Sequence, residues 1–273
     1  MLIAEVFGRD VLDISTEAMQ HRTQKICPFK GGRCNKSSNA DPLGICTLEN
    51  NGQATAICPV RFLEDDKIFI AAAEMAFGKG GTFAIFPEIK LLHVEDQKTG
   101  RTKKIGKVDF LLGKVAGSQI VDFAALEIQA TYFSGKSIRP ALKHYLEYGV
   151  IDKSISNRRP DFRSSAQKRL MPQLQLKVPV FRRWGKKFFV VVDTAFFGAL
   201  PQFKTTTPSN SEIIWLCFPI ERSGQAFYLG KPNVVASHWD DVSTALREGR
   251  APESDEIVGE LSKRLANARQ LQT

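Results

Sequence analysis

Glu127 and Gln129 lie two residues apart in DFAALEIQATYF, residues 122–133, a stretch otherwise too apolar for a surface strand. Side chains alternate across a strand, so both point to one face, with the backbone carbonyl of Ile128 between them. A nearby run, KVDFLLGKV, brings Asp109 to the same point if it pairs alongside. Two carboxylates and a carbonyl make an all-oxygen donor set. That set suits Mg²⁺, a hard cation that keeps several of its waters. The polar pair is then explained as a group facing a metal, against the plainer reading of a satisfied buried polar network.

A second constellation is made of thiols. Cys27, Cys34, Cys46 and Cys58 fall within the first sixty residues, separated by 6, 11 and 11 residues. Cys217 stands apart in IIWLCFPI and reads as a small core residue. In a reducing compartment four clustered thiols favour a metal over disulfides. The segment between them is rich in Gly, Asn, Ser and Pro and poor in large hydrophobes, so it is not expected to form a core by itself. A tetrahedral thiolate site would supply the missing folding energy, and zinc and iron both suit four thiolates.

Charge points to a third kind of partner. The chain carries 38 Lys+Arg against 29 Asp+Glu, a net +9. From Lys136 to Lys187 there are 14 basic residues and 3 acids, +11 in 52 positions, so the rest of the chain is slightly acidic. A solvated face normally mixes signs, whereas a one-sided excess of this kind suits a polyanion such as DNA. Arg158, Arg159, Arg163, Lys168, Arg169, Arg182 and Arg183 are the candidate contacts. Trp184, in FRRWGKK, is read either as a DNA contact or as core.

These residues require a scaffold. DDKIFIAAAEMAFG predicts a helix over about 65–77, with acids at its start and Gly at its end. TFAIFPEIKLLHV, KVDFLLGKV and QIVDFAALEIQATYF predict three meandering strands. RPALKHYLEYG predicts a helix, KKFFVVVDTAFFGAL a long buried strand, SEIIWLCFPI another, and the C-terminal DDVSTALREGR and SDEIVGELSKRLANARQ amphipathic helices. The expected class is α/β, a mixed sheet flanked by helices. Residues 1–62 are expected to form the four-cysteine module and 63–273 the main domain. No run of about 18 apolar residues occurs, and MLIAEVFGRD has acids where a secretory signal has basic and apolar residues, so a soluble cytoplasmic protein is expected.

An acid on one strand followed by Glu-x-Lys or Glu-x-Gln on the next is the pattern of the PD-(D/E)xK nuclease fold. A four-cysteine module ahead of KVDF and ALEIQATYFSG resembles the NotI family of type II restriction endonucleases, from about Cys27 to the strand around Asp193. The resemblance implies a homodimer that cuts both strands of a palindromic, GC-rich DNA site with Mg²⁺ and leaves 5′-phosphate ends. It implies that Asp109 and Glu127 hold that metal, that Gln129 takes the position most relatives in the wider fold fill with Lys, and that the four-cysteine metal is iron. Gln129 cannot accept a proton, so it can only orient the attacking water, and deprotonation falls to water on the metal or to a substrate phosphate. Guanine O6 and N7 are read bidentately by Arg, which makes the arginines of the basic segment candidates for base contact.

Other features read as ordinary structure. EIK at 88–90 matches the motif letters but precedes Asp109 with no earlier acid to pair with, so Glu88 and Lys90 are expected to be strand-edge charges. Glu74 is expected on a solvated helix face, His144 and His238 on the surface, and FGKGGTF in a turn. Two rivals share parts of this pattern: a structure-specific or repair nuclease of the same fold, and a DNA-binding regulator without chemistry.

Overall fold

The computed structural model describes residues 2–95, 102–150, 159–247 and 253–269. Strands β1 (Leu2–Val6), β2 (Arg9–Asp10), β3 (Ile45–Asn50) and β4 (Gln53–Ala56) form an N-terminal sheet in the order β2-β1-β3-β4. Helix α1 (Thr16–Gln24) leads from it into the cysteine segment, capped by the Ser15 hydroxyl. The sheet's core is Ile3, Val6, Phe7, Ile45 and Leu48, completed by Ile138, Ala141, Leu142 and Tyr145 from the far side of the sequence. The cysteine segment thus borrows its core from helix α3 (Arg139–Tyr148).

A 3₁₀ segment, Pro59–Asp66, leads into α2 (Lys67–Phe77), which begins two residues later than the sequence suggests. The main sheet combines β5 (Thr82–Glu95), β6 (Thr102–Ala116), β7 (Gln119–Ile128), β10 (Phe188–Asp193), β11 (Ile213–Phe218) and β14 (Asn233–Ser237), in the order β14-β11-β10-β7-β6-β5. The expected meander is present as antiparallel β5-β6-β7, while β10 runs parallel to both β7 and β11, which makes the sheet mixed. Two short pairs lie outside it: β8 (Phe133–Ser134) with β9 (Arg159–Pro160), and β12 (Ile220–Ser223) with β13 (Ala226–Leu229).

Alternation along β10 divides the core. Phe188, Val190 and Val192 pack with Leu174, Val178 and Phe181 of α5 (Met171–Arg183), whereas Phe189 and Val191 pack with Ile68, Phe69 and Ala72 of α2. α5 is preceded by the single turn α4 (Phe162–Ser164) and a π-helical segment, Ser165–Leu170. Beyond the sheet, α7 (Trp239–Arg247) buries Val242 and Leu246 against the α5 side, and α8 (Ser254–Arg264) is exposed along its whole length. Among the described residues no helix is long and apolar enough to cross a membrane.

The strand expected across KKFFVVVDTAFFGAL stops at Asp193, and α6 (Thr194–Gly198) follows. Asp193 is the cause. Its Oδ1 accepts from the Phe196 N–H at 2.7 Å as a helix cap, while Oδ2 accepts from Ala56 N–H at 3.0 Å, tying the two sheets together. Burial raises this carboxyl from 3.8 to about 7. The folded state therefore holds a proton that the unfolded state releases, and this contribution to stability is lost as pH rises from 3.8 through about 7. Asp193→Asn should remove that component: between these pH values the urea midpoint of the parent falls relative to the variant. Parallel pH profiles of the two proteins would refute it.

Candidate functional site

The β6–β7 ladder ends at the pair Phe110↔Leu126, and beyond it the strands part. Each strand's carboxylate then takes a backbone group that the ladder leaves over. Ile128 N–H donates to Asp109 Oδ2 at 2.9 Å, and Asp109 N–H approaches Glu127 Oε2 at 3.4 Å. Glu127 shares the α5 side of the sheet with Ala125 and is 6% exposed. Burial, reinforced by the Asp109 charge and opposed by Lys177, raises its pKa to about 7. Burial also raises Asp109, against the Ile128 N–H and the Lys177 and Lys107 charges.

Asp109, Glu127, Ile128 and Gln129 line one cavity of about 510 Å³, together with Glu88, Lys168, Arg169 and Gln173. Lys168 and Arg169 arrive there on the π-helical segment, an uncommon geometry that recurs at functional sites. Arg169 is steadied by the Tyr132 ring, 4.2 Å from its guanidinium carbon. The Gln129 amide donates to the Ala130 carbonyl at 2.5 Å, which leaves its oxygen to accept. Acids thus form one wall and cations another.

Glu88 is an exposed charge on the edge strand β5, as expected, and it also lines the cavity. It faces Asp109 between the pairs Pro87↔Phe110 and Ile89↔Val108, at φ 58, with Lys107 at 2.6 Å from its carboxylate. A non-glycine residue at positive φ inside a strand is strained by about 1–3 kcal/mol, and such strain gathers at working sites. Glu74 lies apart, along a groove between α2 and β14.

The remaining basic residues divide. Arg163 is exposed on α4, outside the cavity. Arg182 and Arg183 sit at the C-terminal end of α5, about 15 Å along the helix from Gln173. Arg182 is engaged by Glu212 at 3.2 Å and Asp240 at 3.3 Å. Arg159 lies in β9, and Arg158 lies outside the described residues. Trp184 packs edge-on against Phe181 and Phe123 while remaining half exposed. Lys177, counted in the sequence among the polyanion-facing charges, is instead buried at 1% exposure with its Nζ 2.7 Å from Glu127 Oε1. A signal for this was present: Leu174, Lys177, Val178 and Phe181 fall at i, i+3, i+4 and i+7, the buried stripe of α5.

The family model described as Restriction endonuclease NotI matches residues 5–229. The chain belongs to this family. It is therefore a type II restriction endonuclease, a site-specific deoxyribonuclease that binds DNA. No curated protein matches the chain. The NotI-family match spans most of the N-terminal sheet, all five cysteines, the acid pair and the basic helix in one stretch.

Within this NotI-family chain, Cys27, Cys34, Cys46 and Cys58 are free and buried. Their charges act on one another: Cys46 is pushed well above the ordinary thiol value by burial, then by Glu5, Cys58 and Cys27. The amides of Phe29 and Lys30 donate toward Cys27, which opposes the upward effect of burial on that thiol. Lys36 is held below the ordinary lysine value by burial, against the pull of Cys58, Cys46 and Cys34. Among the described residues no three metal-ligating side chains converge closely enough to hold an ion. The donor types nevertheless fit a soft metal, as the oxygen set around Asp109 fits a hard one.

Proposed function

We propose that Asp109, Glu127 and the Ile128 carbonyl hold Mg²⁺, and that a homodimer uses this site to cut both strands of a palindromic, GC-rich duplex, leaving 5′-phosphate ends. The observation that carries the reading is the cavity that the buried Glu127 and the half-buried Asp109 line together with Lys168 and Arg169. Bound there, Mg²⁺ would stabilise the charge that gathers at phosphorus and on the leaving oxygen. The protein's own groups divide the remaining work. Lys168 and Arg169 neutralise and place the DNA phosphates at the rim. Gln129 accepts from an attacking water with its side-chain oxygen and orients it. Asp109 and Glu127 are preset by their bonds to each other's strands.

Digestion of long unmethylated duplex DNA with Mg²⁺, followed by sequencing of the ends, tests this directly. Discrete fragments sharing one GC-rich palindrome and bearing 5′-phosphates are expected. Cutting that follows DNA shape and yields no shared sequence would sink the site-specific part, and cutting unaffected by EDTA would sink the metal.

For the four cysteines we propose one structural iron or zinc per chain. Elemental analysis should return one equivalent of metal, with visible thiolate charge-transfer absorption if it is iron. Cys46→Ser should lose the metal and lower the melting midpoint by more than about 5 °C, since a structural metal adds folding free energy and a domain this size shifts by about 2–4 °C per kcal/mol. A metal-free parent protein with the same midpoint as the variant would exclude the site.

A further inference from the structure

Lys177 is almost sealed from solvent, at 1% exposure. It occupies a stripe position of α5 where a leucine would pack with less loss, because an ammonium leaves water only at a large desolvation cost. Its partner is a single oxygen, Glu127 Oε1, at 2.7 Å. The other oxygen of the same carboxylate, Oε2, is the one that meets the Asp109 N–H. Gln173, one turn earlier on α5, lines the cavity, whereas Lys177 does not. The ammonium therefore reaches Glu127 from the body of α5, at the oxygen turned away from the Asp109 N–H.

We infer that Lys177 is a positioning residue: it clamps Oε1 of Glu127 so that Oε2 stays beside Asp109 and the acid pair is preset for a divalent cation. The same helix continues the segment bearing Lys168 and Arg169, so the clamp also fixes the rim that meets DNA against the acids beneath it. The inference rests on the metal role proposed above for Glu127.

A double-mutant cycle separates the two, with Mn²⁺ as the probe and the full chain without DNA as the sample. Electron paramagnetic resonance titrations would compare the parent, K177M, E127Q and E127Q/K177M. K177M should weaken Mn²⁺ binding about 10–100-fold, the range found when a group orienting a metal ligand is removed. It should lower kcat by a similar factor while leaving KM for DNA within about threefold. In the E127Q background the same substitution should change Mn²⁺ affinity by no more than about twofold, because the clamp has nothing to hold.

Unchanged affinity and kcat in K177M would overturn the inference, as would an equal loss in the E127Q background, which would mark a packing role. Tighter Mn²⁺ binding would also overturn it, by showing that Lys177 competes with the ion. If K177M fails to fold, K177R takes its place in the cycle: its displaced charge should shift Mn²⁺ affinity in the parent background and not with E127Q. An E127Q protein that binds Mn²⁺ and cuts like the parent would defeat the metal reading of Glu127 and the clamp with it; an impaired E127Q beside a normal K177M would defeat the clamp alone.

Discussion

Asp109→Asn and Glu127→Gln will each slow single-turnover cleavage by about 10³-fold or more, with DNA affinity in Ca²⁺ held within about threefold. The size of the effect follows from the site's construction. The two carboxylates sit where the β6–β7 ladder ends, and they are the acids that the buried end of the cavity presents together. Neither substitution alters volume. An amide in place of the Asp109 carboxylate keeps an oxygen for the Ile128 N–H, which now donates to Asp109 Oδ2 at 2.9 Å, so the strands should not rearrange. On the proposed reading DNA affinity depends instead on Lys168 and Arg169, which line the cavity and are untouched. A variant that retained more than about a tenth of parental cleavage would remove that acid from the chemistry. Loss of cleavage together with loss of binding would indicate a folding defect and redirect attention to the sheet.

Arg61→Met will lower stability by about 3–5 kcal/mol, the penalty for leaving the partner of a buried ion pair uncompensated. Arg61 and Glu5 are 0% and 1% exposed, and the guanidinium Nε lies 2.7 Å from Glu5 Oε2. The same guanidinium also binds Glu64 and lies over the Phe29 ring, 4.5 Å from its centroid. One side chain thereby joins β1, the cysteine loop and the 3₁₀ segment leading to α2. Burial already raises the Glu5 carboxyl despite Arg61, so removal of the cation leaves a carboxylate with little beyond Thr47 to compensate it. The melting midpoint should fall by roughly 6–20 °C, at about 2–4 °C per kcal/mol for a domain of this size. The double change Glu5→Gln with Arg61→Met should recover much of the loss, since the unpaired charge is then gone. A single variant within about 1 kcal/mol of the parent would show that the pair is not a structural link.

Patterns of period two and of local composition were legible in the sequence. The three-strand meander, the acid on β6 and the Glu-x-Gln at the end of β7 all follow from alternation within short windows. The N-terminal sheet was not legible, because its core is completed by Ile138, Leu142 and Tyr145, roughly 90 to 140 residues beyond the strands they cover. Asp193 hid a helix for a related reason: an apolar run continues on both sides of it, and only its two backbone acceptor bonds show that the strand ends there. The basic segment misled by treating charges as a sum. Lys177 and Arg169 carry the same charge in one helical stretch, yet one is sealed against Glu127 and the other stands at the cavity rim. Charge density shows that a polyanion is met, whereas helical phase decides which cations meet it.

The tight turn between β6 and β7 acts as a ruler for the chemistry. From the pair Ala116↔Gln119 around Gly117, whose φ of 59 suits glycine, the two strands run back to Phe110 and Leu126 through one register shift, where β7 carries Val121 as an extra residue. Between that bulge and the end of the ladder, from Lys114↔Asp122 to Phe110↔Leu126, a one-residue insertion or deletion would turn Glu127 toward α2 and away from Asp109. Length changes between the bulge and the two acids should therefore be forbidden to any active descendant. Variation in what such an enzyme recognises has to arise elsewhere in the chain, where a change of length leaves the distance between the two acids untouched.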